Sequence, residues 1–101
     1  MASEMLAIAV EYGLDRLKAV AVEYLCDHLT VENVCEHLIL SEKFSSKKLE
    51  ENCQKFIFDN AESLRKTKNF DELFKSHPYL AEGLFWKLFD LSFTSNNNSL
   101  E

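Results

Sequence analysis

The sequence predicts an all-α fold of short stacked helical hairpins, on three observations. The 101 residues include only 2 glycines and 1 proline, so long stretches lack the turn residues that a sheet needs at every hairpin. Apolar residues recur three and four apart through most of the chain, the spacing of one face of a helix. Residues 6–25, LAIAVEYGLDRLKAVAVEYL, also overlay residues 38–57, LILSEKFSSKKLEENCQKFI, at an offset of 32 residues. That register pairs Leu6 with Leu38, Tyr12 with Phe44, Arg16 with Lys48, Leu17 with Leu49, Ala21 with Cys53, Tyr24 with Phe56 and Leu25 with Ile57. Each copy reads as a short helix, a turn and a longer helix. Stacked hairpins of this kind generally need neighbours to cover their ends.

Taken in order, residues 5–12 read as a short apolar helix stopped by Gly13, the residue type that best accepts a left-handed C-terminal conformation. Asp15 then serves as N-cap of a second helix to about His28, with Leu17, Val20, Ala21, Tyr24 and Leu25 inward. Thr30 caps a third over about residues 31–43, whose inner face reads Val31, Val34, Cys35, Leu38, Ile39 and Glu42. Ser45 or Ser46 caps a fourth, in which Leu49, Cys53, Phe56 and Ile57 recur at helical spacing. Asn60 restarts the helix at a new angle over residues 61–66, and a half-turn around Phe70, Leu73 and Phe74 follows. Pro78, well suited to a first helical turn, opens the last helix, and TSNNNS after Phe93 is expected to be a frayed tail.

That last helix, residues 78–93, PYLAEGLFWKLFDLSF, carries apolar residues over most of its circumference. Leu80, Leu84, Leu88 and Leu91 form one stripe, Phe85, Trp86, Phe89 and Phe93 continue the arc, and only Gly83, Lys87 and Asp90 hold a polar strip. A helix this greasy is either central or has two partners, and a terminal helix is seldom central. The leucine stripe is therefore expected on the chain's own core and the aromatic stripe on something else. The alternative is that loops and earlier helices cover both.

Composition bounds the function. With 47% hydrophobic residues the chain is globular and one domain in size. A net charge of −6 and a pI near 5.0 repel phosphate backbones, so nucleic acid and anionic membranes are not expected partners. No apolar run approaches the roughly 20 residues that span a bilayer, nor does a signal peptide open the chain, so nucleus or cytoplasm is expected. Three cysteines, an odd number, fit a reducing compartment. Met1-Ala2-Ser3 and Leu100-Glu101 read as additions at the two ends of a piece cut from a longer protein.

Catalytic chemistry finds little footing. Cys26-x-His28 and Cys35-x-His37 offer four zinc-type ligands, but residues two apart on a helix point about 200° apart and cannot converge on one ion. Their other reading is two core thiols and two partly exposed imidazoles. The acidic pairs Glu50-Glu51 and Asp71-Glu72 lie beside lysines, as on a solvated face, and the basic clusters Lys47-Lys48 and Arg65-Lys66-x-Lys68 are short and offset by acids. No Gly-rich phosphate cradle or nucleophile elbow occurs. Neither an enzyme nor a cofactor is expected.

Three phrases carry a resemblance: the aliphatic-x-x-Ala-x-x-Tyr-Gly-Leu-x-Arg-Leu-Lys run, the Leu-Thr-Val-Glu-Asn junction and Ser-His-Pro. Over about residues 5–90 the chain resembles the end of a BTB (POZ) domain running into a BACK-type helical domain, as in speckle-type POZ (MATH-BTB) proteins. The resemblance implies a non-catalytic interaction module of a substrate adaptor for cullin-RING ubiquitin ligases. Residues 1–29 would be the last two BTB helices and 30–93 a 3-box followed by a BACK-like portion, with 94–101 a disordered tail or added residues. It implies two partners, a cullin and a second copy of the chain. Phe85 falls where such relatives carry an aromatic at a second dimer contact, and Leu84, Phe85, Trp86, Phe89 and Phe93 are the expected self-association residues. Tyr12, Asp15 and Arg16 are the expected cullin-facing edge; read locally, they are a helix-end ring, a cap and a solvated base. The competing expectation, resting on the 32-residue offset, is a structural helical-repeat scaffold with no ligase role.

Overall fold

The computed structural model describes residues 2–100, and side chains within that span are described for residues 2–90. The described residues form seven helices: α1 (Ala2–Glu11), α2 (Asp15–Asp27), α3 (Val34–Lys43), α4 (Lys47–Asp59), α5 (Ala61–Leu64), α6 (Lys68–Ser76) and α7 (Pro78–Leu100). They pair as three hairpins, α1 with α2, α3 with α4 and α6 with α7, with α2 and α7 both resting on α4. The fold is thus all-α and built of stacked hairpins. One apolar core, including Leu6, Leu25, Leu38, Leu49, Ile57 and Leu73, runs through all three. The outline is elongated, 48 × 33 × 22 Å.

The internal repeat is carried into three dimensions. Helices α1 and α3 each have 10 residues, α2 and α4 each have 13, and every boundary of the first pair recurs 32 residues later. Gly13 (φ 66°) and Ser45 (φ 53°) occupy equivalent left-handed positions in the two turns. Buried side chains correspond as well: Leu6 with Leu38, Ala21 with Cys53, Leu25 with Ile57. The same turn conformation and the same buried positions mean that both hairpins solve one packing problem.

Local chemistry explains most of the boundaries. The Ser46 hydroxyl accepts from the Leu49 N–H at 3.3 Å, capping α4, while Ser45 takes the left-handed turn. The Thr30 hydroxyl accepts from the Asn33 N–H at 3.1 Å, and Asn33 Oδ1 accepts from the Thr30 N–H at 2.8 Å. This reciprocal pair closes a turn over residues 31–33, so regular helix begins at Val34 rather than Val31. Asp15 is not a cap. Leu14 occupies that position without a side-chain bond, and Asp15 is the first helical residue, where its charge favours the helix dipole. The expected half-turn at Phe70 is a full helix, α6, because Thr67 accepts from the Phe70 N–H at 3.3 Å and starts one.

Other expectations are corrected. Ala2 already begins α1, and α5 ends at Leu64 rather than Lys66. Val20 and Tyr24 are exposed, because the inner arc of α2 turns through Ala21, Val22 and Leu25 instead. Glu42 is exposed and Ser41 takes the inward position. The leucine stripe of α7 is buried at Leu80 and Leu84 but half exposed at Leu88. The last helix does not stop at Phe93. No proline or glycine follows Gly83, and Ser, Thr and Asn each cost a helix only up to about 0.7 kcal/mol, so α7 runs to Leu100.

Candidate interaction surface

The hairpin of α6 and α7 leaves an aromatic edge uncovered. Phe85 is 61% exposed, Trp86 54% and Phe89 54%, whereas Leu84, one residue before Phe85, is 5% exposed. Leu84 was expected in the self-association set but shares the buried face of Leu80, four residues earlier, and belongs to the core. The remaining rings hold one another: Phe85 and Trp86 lie edge to face at 5.5 Å, Trp86 and Phe89 at 6.0 Å. The Trp86 indole N–H donates to Glu82 Oε1 at 3.4 Å, fixing the central ring one turn along the helix. Such rings lose little conformational freedom on binding, as an anchor requires. The side chains of Phe93 and Leu91 lie outside the described residues.

Beside this edge runs an apolar groove of about 360 Å³, lined by Ile57 and Phe58 of α4, Phe70 and Phe74 of α6, and Leu84, Phe85 and Leu88 of α7. Phe70 and Phe74 pack at 4.6 Å on one wall. The sequence reading missed Phe58, Phe70 and Phe74 as members of this surface. The Thr67-x-x-Phe70 cap was a signal for α6, but only the fold brings residues 58, 70–74 and 85–88 together.

The other expected edge is at the α1–α2 turn. Tyr12 is 69% exposed, and Asp15 and Arg16 are exposed beside it. The local expectation that Tyr12 packs at a helix end is therefore corrected: its ring is free. This turn and the aromatic edge belong to different hairpins, so the expected site residues form two separate surfaces rather than one.

The soft ligands do not converge. His28 stacks on Tyr24 with ring centroids 4.0 Å apart, and its Nδ1 lies 2.8 Å from the Tyr24 carbonyl. His37 is half-buried with Nδ1 unpartnered, and burial lowers its pKa from the ordinary 6.5. Among the described residues no group of three or more His, Cys, Asp or Glu side chains is placed to hold a metal ion. Burial raises all three thiols, and Cys53, fully buried, is pushed up to about 12. Thiols so held are protonated, poor nucleophiles. Among the described residues no helix is long and apolar enough to cross a membrane.

No protein-family model matches the chain. It is similar to the TD and POZ domain-containing proteins 2 and 1 of Mus musculus, each 34% identical over 88 residues, 87% of this chain and 24% of theirs. It is also similar to the protein maternal effect lethal 26 of Caenorhabditis elegans, 28% identical over 100 residues, 99% of this chain and 25% of that protein. The chain thus spans about a quarter of the length of the curated relatives it matches.

Proposed function

Because the chain is related over most of its length to POZ domain-containing proteins, we propose that it is a non-catalytic interaction module of a cullin-RING ligase substrate adaptor, working in nucleus or cytoplasm. In this reading α1 and α2 end a BTB domain, α3 and α4 form a 3-box, and the remaining helices are BACK-like. The chain contributes to cullin binding near Tyr12, Asp15 and Arg16 and self-associates through α7. The observation that carries the reading is the aromatic edge of Phe85, Trp86 and Phe89 left open on a helix whose Leu80 and Leu84 are locked into the core. Rings half exposed on a rigid helix, next to an apolar groove, are where binding energy concentrates. Three half-exposed rings from each of two copies bury only several hundred Å² at most, so the edge alone suits a weak dimer, strengthened when the rest of an adaptor adds contacts.

The test is solution mass by light scattering from micromolar to millimolar, on the native chain and on Phe85→Asp with Phe89→Asp, together with calorimetric titration of a cullin N-terminal domain. A dimer that the double change converts to a folded monomer, and cullin binding weakened by Tyr12→Ala, are expected. A native monomer throughout refutes the self-association part; absence of cullin binding, in this chain and in the longer protein, refutes the ligase part.

A second reading is favoured by one observation: the two 32-residue hairpins agree in helix length, turn conformation and buried positions. A structural helical-repeat scaffold would show this, and further copies in the longer protein would select it.

A further inference from the structure

The groove beside the aromatic edge has a volume of about 360 Å³, and all nine residues that line it are apolar, four of them phenylalanines. A space of that size falls in the range of small-ligand pockets, about 300–1,000 Å³, and walls without a polar side chain favour an apolar occupant over a charged one. Phe85 forms part of the wall, whereas Trp86 and Phe89 stand exposed beside the groove on α7 without lining it. Receiving groove and protruding rings are therefore neighbours on one surface. A two-fold contact requires that arrangement, because the same patch of each copy meets that of the other. Charge decides which half of the molecule can meet a copy of itself. Residues 1–42 carry eight carboxylates against two bases, Arg16 and Lys18; of the 17 acids and 11 bases in the whole chain, nine and nine remain for residues 43–101. The acidic part repels its counterpart on a second copy, while the part that holds α4, α6, α7 and the groove is neutral. Area points the same way. Exposed rings laid only against one another fall short of the roughly 1,000 Å² that a stable interface needs, and a ring sunk into the groove covers its walls as well.

We infer that two copies pair by exchanging rings, each sinking Phe89 into the apolar groove of the other, between Phe58 of α4 and Phe70 and Phe74 of α6. The groove residues then select the partner as much as the ring does. The inference rests on the proposed self-association through α7 and deepens it by assigning two roles on that surface, a donated ring and a receiving groove.

Complementation between two variants tests the exchange. Phe89→Ala removes the ring and leaves the groove; Ala81→Glu puts a carboxylate on the groove wall and leaves the ring. Ala61→Glu does the same from an exposed lining position in the first turn of α5, where an acid suits the helix, and takes the place of Ala81→Glu if circular dichroism finds that protein unfolded. A homodimer of either variant loses both insertions, so each alone should dimerise at least about a hundredfold more weakly than the native chain in light scattering. The mixed dimer keeps one insertion. Amino-terminally dye-labelled Phe89→Ala titrated with the groove variant, read by fluorescence anisotropy, should therefore associate about tenfold more tightly than either variant with itself and about tenfold more weakly than the native chain. Folded groove variants that dimerise as the native chain does, or a mixture no tighter than its components, overturn the inference and leave self-association through α7 standing. A native chain that stays monomeric up to millimolar concentration removes both.

Discussion

Ser45 holds a φ of 53° where its repeat equivalent is Gly13 at 66°. A left-handed backbone costs a residue with a Cβ about 1 kcal/mol, part of which glycine returns through its freer unfolded chain. Ser45→Gly should therefore raise stability by about 0.5 kcal/mol in urea denaturation. Gly13→Ala should lower it by a similar amount or more through backbone strain alone, since an added Cβ there meets no atom within 4 Å. His37 makes a prediction in pH. Burial, only partly offset by Glu36, keeps its ring neutral in the fold, while the unfolded ring takes a proton as pH drops through about 6.5. The unfolded state then binds more protons, so the stability this neutral ring allows is present above that value and lost as pH falls towards its lower folded pKa. Carboxylates titrate further down, so the signature is the difference from His37→Gln, whose urea midpoint should fall less between pH 7 and pH 5.5. An equal fall in both proteins would mean that the folded ring is solvated. The left-handed turn at Gly13 was legible from its residue type, but the state of His37 was not, because a histidine's residue type says nothing about whether Nδ1 finds a partner.

At the scale of the helix, α7 separates core from surface within two consecutive residues. Leu84→Ala removes a side chain packed into the core and should cost about 2–5 kcal/mol. Phe85→Ala, on the open edge, should change the stability of the monomer by no more than about 0.5 kcal/mol. Circular dichroism melts of the two variants in dilute solution check the contrast, and comparable losses would place Phe85 inside the fold. The sequence foretold that α7 has two faces, because an apolar arc wider than one partner can cover shows in the spacing. Which leucine ends the buried face was not legible: Leu88 repeats Leu84 in type and register, yet it lines the groove half exposed. The same limit explains Val20 and Tyr24, which satisfy helical periodicity on α2 but stay exposed, Tyr24 with its ring stacked on His28. Caps were read better where one bond decides, as at Ser46, than at Asp15, whose carboxylate suits a first turn as well as a cap.

On the scale of the molecule, three hairpins share one core, and the two that share a sequence pattern were visible as an offset of 32 residues because their turns and several of their buried positions, Leu6 with Leu38, Ala21 with Cys53 and Leu25 with Ile57, correspond. The third hairpin and its groove were not, since Phe58, Phe70, Phe74 and Leu88 meet only through the packing of α4, α6 and α7. That packing couples stability to association. The core closes at Leu80 and Leu84, so each copy should unfold as one cooperative unit, and any partner that binds α7 binds only the folded state. Self-association on the aromatic edge therefore stabilises by mass action. Each tenfold rise in protein concentration should add about 1.4 kcal/mol per dimer, or half that per copy, and lift Tm by roughly 3–6 °C in the range where the native chain is dimeric. Phe85→Asp with Phe89→Asp should melt at one temperature regardless of concentration, close to the dilute limit of the native chain. A native Tm equally indifferent to concentration, with the mass of a monomer, would mean that the edge is reserved for a different protein. A variant melting well below that dilute limit would show instead that the rings support their own fold.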